Sequence, residues 1–174
     1  MKLTPTLLLT ALVLSGCFYE APISEKPTRK IDPGLLGDWA STSESGVKVV
    51  IKESDPEHYA VTYEQPAKDG KKELLVFTGY HTQVGKVDIV DLQLMEPAGE
   101  QKGKWLFLDY KLTGADKLSI RSVNSEVVPM PPGVGFKGDS RKLATPAETK
   151  AFFESVIDNP DLFRDEPMEF VRAK

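Results

Sequence analysis

Val47, Val49 and Ile51 alternate with Lys48 and Lys52, and a similar two-residue beat recurs through much of the chain to about residue 123. A period of two puts successive side chains on opposite faces of a strand, so these runs read as half-buried β-structure rather than amphipathic helix. Leu35 to Ala40 is the first candidate strand, and Tyr59, Val61 and Tyr63 repeat the alternation of the second. Pro66-Ala67-Lys68-Asp69-Gly70 is a turn, after which Glu73 to His81 gives a strand with a bend or bulge expected at Gly79. Lys86 to Met95 carries Val87 and Ile89 in one phase and Val90, Leu92 and Leu94 in the other, which predicts a bulge. Trp105 to Leu112 is apolar in both phases and must be covered on both faces. Leu118 to Val123 follows the turn Thr113-Gly114-Ala115-Asp116.

The beat then stops. Val128 to Gly138 is rich in Pro and Gly and reads as a loop. One helix is predicted over Thr145–Ile157: Thr145 caps it, Pro146 suits the first helical position and Glu148 completes a capping box. Its stripe of Phe152, Phe153, Val156 and Ile157 suits the outer cover that Trp105–Leu112 needs. Met168 to Arg172 is a last short strand.

The N-terminus carries a different signal. Lys2 precedes an apolar run to Leu14, too short to span a bilayer of roughly 30 Å. It ends in Leu14-Ser15-Gly16-Cys17, and Cys17 is the only cysteine in the chain. This run resembles the bacterial lipobox, which implies a signal peptide over 1–16 and palmitate-type acylation of Cys17. Several acyl chains hold a protein stably on a membrane where one does not. Phe18 and Tyr19 follow the cysteine where inner-membrane lipoproteins tend to carry an aspartate, so the resemblance implies a partner bilayer in the cell envelope, at the outer membrane facing the periplasm. Residues 17–33, with Pro22, Pro27 and Pro33, read as the lipidated N-terminus and an extended tether reaching at most about 50 Å. Residues 34–174 form the folded domain.

With one cysteine no intrachain disulfide can form, so the domain depends on its apolar core. Loss of Lys2 with the signal leaves 21 basic against 26 acidic residues, a net charge of −5. The basic residues are scattered, which argues against a nucleic-acid partner.

Seven meandering strands, a late helix and a closing strand describe an all-β fold, a small antiparallel β-barrel. The order resembles the calycin group, which includes the lipocalins. Gly37-Asp38-Trp39 matches the G-x-W that opens the first strand of those barrels, and the resemblance implies that Arg172 of Phe170-Val171-Arg172 packs over Trp39 at the barrel end. The same layout is similar to uncharacterised bacterial lipoproteins in the stretch from Thr145 to Phe163. The two-phase apolar strands, with no nucleophile beside an identifiable base and no metal-ligand spacing, suggest a non-enzymatic protein to which no catalytic, metal or cofactor residues are assigned and which binds a small apolar ligand or an envelope protein. An inhibitor or assembly partner of another envelope protein, and a hydrolase with an unrecognised site, are the alternatives.

Other motifs carry less. Gly133-Val-Gly135-Phe-Lys-Gly138 matches G-x-G-x-x-G but has neither a preceding strand nor a following helix, so it reads as loop. His81 lies at a strand end with Asp88 and Asp91 on the next strand. That is one possible cross-strand site, against the simpler reading of a solvated or hydrogen-bonded surface histidine. Asp109 interrupts an apolar strand and faces either a ligand inside the barrel or solvent.

Overall fold

The computed structural model describes residues 18–67, 70–97, 99, 101–124, 136–137, 140–141 and 143–173. Eight antiparallel strands close a barrel: β1 (Gly37–Ser41), β2 (Lys48–Asp55), β3 (His58–Pro66), β4 (Lys72–Val84), β5 (Val87–Glu96), β6 (Trp105–Thr113), β7 (Lys117–Ser122) and β10 (Met168–Arg172). β1 to β7 form a meander, and β10 sits between β7 and β1 to complete the ring. Closure leaves no unpaired edge in the sheet. The architecture is consistent with a calycin-like fold. A separate two-stranded ribbon pairs β8 (Phe136–Lys137), within the stretch expected to be loop, with β9 (Ser140–Arg141) just beyond it.

The period-two pattern decides which side chains fill the barrel. Val49, Ile51, Tyr59, Val61, Phe77, Leu92, Leu106, Leu118 and Phe170 form one buried cluster on the inner face. A second cluster lies outside the wall, where Ile89, Trp105 and Phe107 meet Phe152, Phe153 and Val156 of α1 (Pro146–Val156). The helix begins where expected. The Thr145 hydroxyl accepts from the Glu148 amide at 3.2 Å, and the Glu148 carboxylate accepts from the Thr145 amide at 3.0 Å. The Phe153 ring meets the Phe107 ring edge-on at 5.0 Å, so the two-phase strand β6 is covered inside by the barrel and outside by the helix.

Two local expectations fail. Between Val84↔Val87 and Phe77↔Leu94 the β4–β5 register is unbroken, so the phase change in β5 is no bulge. Both phases are apolar because both faces are covered: Val90, Leu92 and Leu94 point in, and Ile89 points into the outer layer. The irregularity lies further on, at Val76/Phe77 opposite Met95. Gly79 is likewise regular strand. It is small because a Cβ there would collide with the Leu92 side chain and lie 2.9 Å from the Asp91 carbonyl.

The expected tether is the larger correction. Residues 18–32 are a strap packed along the barrel wall, with Phe18 in the inner cluster and Tyr19 and Ile23 in the outer one, not a free linker. The Tyr19 amide and carbonyl each bond Trp105 at 2.8 Å, at the start of β6. The Tyr19 ring lies 4.6 Å from Phe107 and 6.0 Å from Phe153, between wall and helix. The Thr149 hydroxyl lies 3.4 Å from the Ala21 carbonyl, Tyr80 donates to the Ser24 carbonyl at 2.6 Å, and the Thr28 amide donates to His81 at 2.9 Å. Prolines did not keep the segment free, because Phe18, Tyr19, Ala21 and Ile23 are all buried and their burial offsets the entropy of ordering it.

Candidate functional site

The barrel has two distinct ends. The β1–β2, β3–β4 and β5–β6 connections leave from one end, where β7 ends and β10 begins, here called the mouth. The strap enters at the other, the base, through the short 3₁₀ turn Pro33–Leu35. Asp32 caps that turn by accepting from the Gly34 amide at 2.8 Å.

The base is sealed by a compact set of bonds around Trp39, which is fully buried. Its indole N–H donates to the Leu35 carbonyl at 2.8 Å, and the Arg172 guanidinium lies 4.3 Å from the centre of its ring. Arg172 also donates to the carbonyls of Leu36 at 2.7 Å, Gly34 at 3.1 Å and Ala115 at 2.9 Å. It therefore ties the 3₁₀ turn, the β6–β7 turn and the closing strand together. Gly37 has φ of +131° and a Cβ there would strike Arg172 Nη1. Only glycine suits that position, which gives the G-x-W pattern a physical cause here.

Above this floor is a cavity of about 90 Å³ lined almost wholly by apolar atoms, among them Leu35, Ile51, Leu92, Leu118, Ile120 and Phe170. Three tyrosines, Tyr59, Tyr63 and Tyr110, also face it. Burial pushes the Tyr59 and Tyr63 hydroxyls up to about 12 and raises that of Tyr110, so all three stay neutral at physiological pH.

The polar groups near the base satisfy one another. The Tyr59 oxygen accepts from the Asp32 amide and is hydrogen-bonded to His81 Nε2, 2.7 Å away. His81 Nδ1 faces both Asp88 Oδ2 and Arg29 Nη2 at 3.3 Å, donating to the first in one tautomer and accepting from the second in the other. Arg29 closes the group, donating to Asp88 and, at 2.9 Å, to the Tyr110 oxygen. Tyr110 in turn donates to Asp32 at 3.0 Å. Burial alone would raise the Asp88 carboxyl, but His81 and Arg29 outweigh it and hold it below the ordinary range. A carboxylate–imidazole–phenol chain resembles a proton relay in outline. Here both ends of the chain are engaged, and it fastens the strap to the base.

The expected histidine environment is thus corrected. His81 is fully buried, not a surface residue, and it meets Asp88 but not Asp91. Asp91 lies on the outer face, fully buried under the strap, where it accepts from the Ile23 amide at 3.0 Å. Asp109 also faces outward and pairs with Arg121 across the β6–β7 register. Its place on the outer face of an otherwise apolar strand leaves the barrel interior without that carboxylate. Cys17 and most of Gly133–Gly138 lie outside the described residues; Phe136–Lys137 of that motif is strand, not a helix start. Among the described residues there is no group of three or more side chains suited to hold a metal ion, and no helix long and apolar enough to cross a membrane.

Sequence reasoning missed the strap. Its signal was present in Tyr19, Ala21 and Ile23, apolar residues two apart that face one way like a strand. No family model, curated protein or solved structure matches this chain.

Proposed function

We propose that this is a non-enzymatic lipoprotein of the bacterial cell envelope, anchored through acylated Cys17 at the outer membrane, whose lipocalin-like barrel binds a small apolar ligand. The observation that carries the ligand reading is the cavity itself: apolar, floored by Leu35, and lined by tyrosines whose hydroxyls stay neutral. Its size bounds the ligand. About 90 Å³ is below the 300–1,000 Å³ typical of drug-sized sites and below the ~150 Å³ of engineered cavities that take benzene. A slim, unbranched apolar group suits it, and a bulky ring system does not.

Native mass spectrometry of the protein taken from membranes tests the ligand reading together with thermal shift across a panel of short apolar compounds. Ile120 lines the cavity and is only half-buried. Ile120→Phe is expected to fill the space and abolish both the bound mass and the shift. A wild-type spectrum free of ligand with no shift on any compound would refute the reading. The anchor is tested by Cys17→Ser, which is expected to move the protein from the membrane fraction to the soluble one.

A further inference from the structure

The strap fixes more than the base. Its first described residue, Phe18, is buried in the inner core cluster, and Tyr19 is bonded to Trp105 at the mouth end of β6. Phe18 and Tyr19, which follow position 17 in the chain, are thus fixed at the mouth, and the slack that a free 15-residue tether would have supplied is absent. Two of the three large apolar side chains exposed on the described surface lie at this same end: Leu74 near the start of β4, 50% exposed, and Met95 near the end of β5, 39% exposed. With the edge of β6 beside Phe18 they follow one another along three adjacent strands of the rim. The third, Val171, stands alone on β10 towards the base.

Resting on the Cys17 anchor proposed above, we infer that the barrel docks mouth-down on the lipid bilayer, with Leu74 and Met95 entering the headgroup boundary. Apolar side chains are driven into that boundary by the same burial that drives folding, and an anchor without slack keeps them there.

The full acylated protein in phosphatidylethanolamine–phosphatidylglycerol vesicles tests this. Once Cys17 is acylated, one added cysteine is the only free thiol and can carry a fluorophore. Leu74→Cys and Met95→Cys report the mouth, and Lys117→Cys, exposed at the base, reports the other end. Nine-residue strands such as β6, tilted as in closed barrels, separate the ends by about 20 Å. Lipids carrying spin labels in their acyl chains are expected to quench the 74 and 95 labels severalfold more than the 117 label. Equal quenching at both ends, or stronger quenching at 117, in a membrane-bound protein would overturn the orientation and leave the anchor intact. A wild-type protein recovered entirely in the soluble fraction would remove the anchor and the orientation with it.

Discussion

Asp91 is the costliest group in the barrel wall, and its replacement by asparagine gives the sharpest test of how the strap is held. The carboxyl is enclosed by the strap and β4, with the Ile23 amide on Oδ2 and the Thr82 hydroxyl and Ser24 amide close by. No cation is among its described partners. Burial pushes its pKa from 3.8 up to about 8, and these donors only partly oppose the rise. The folded chain therefore keeps a proton that the unfolded chain releases, so stability falls as pH rises from about 4 to about 8 and levels off beyond. At 1.4 kcal/mol per pH unit the deficit at pH 7 is on the order of 4 kcal/mol. Asp91→Asn removes the titration. Its carbonyl still accepts from Ile23, and its amide can donate to Thr82. The variant should melt roughly 10 °C above wild type at pH 7, at about 2–4 °C per kcal/mol for a chain of this size, and match it near pH 4. Thermal unfolding by circular dichroism from pH 4 to 9 checks this. Parallel melting curves for the two proteins across that range would show that Asp91 is not held protonated under the strap.

Two further substitutions probe the base and the outer layer. Gly37→Ala places a Cβ against Arg172 at a positive φ and should destabilise by about 1–3 kcal/mol; urea unfolding measures this, and an unchanged midpoint would show that the base is not tightly closed. Phe153→Ala empties the contact with Phe107 and Tyr19 and should cost about 3–5 kcal/mol, with early hydrogen exchange at residues 19–23; protection of those amides as strong as in wild type would show that the helix does not clamp the strap.

The alternating runs made the strands legible because each strand buries at least one full face, and alternation survives wherever that holds. The helix was legible because its start depends on local chemistry: Thr145, Pro146 and Glu148 make the same bonds in any context. The double-phase stretches gave an ambiguous message. In β6 the two apolar phases pointed correctly to a cover on both faces, whereas the same property in β5 imitated a bulge. The difference is tertiary, since only the packed structure shows the strap and helix lying over Ile89. His81 failed for the same reason. Nothing in its neighbours in sequence shows that Tyr59, 22 positions away, will fix its ring inside the barrel.

The strap also sets an order of events. It belongs to the start of the chain, yet its cover, α1, comes from near the end, and Tyr19 meets Phe153 only after nearly the whole domain has emerged. Until then Tyr19 lacks the Phe153 side of its pocket, and contacts this distant in sequence form late. Afterwards residue 17 adjoins a buried side chain, with little room for an enzyme to grip the backbone on its C-terminal side. Cleavage and acylation at Cys17, on the reading proposed here, thus belong to the interval before the barrel closes. On that reading, a chain that folded first would present the processing site one residue from the buried Phe18, so processing would have to precede closure of the barrel.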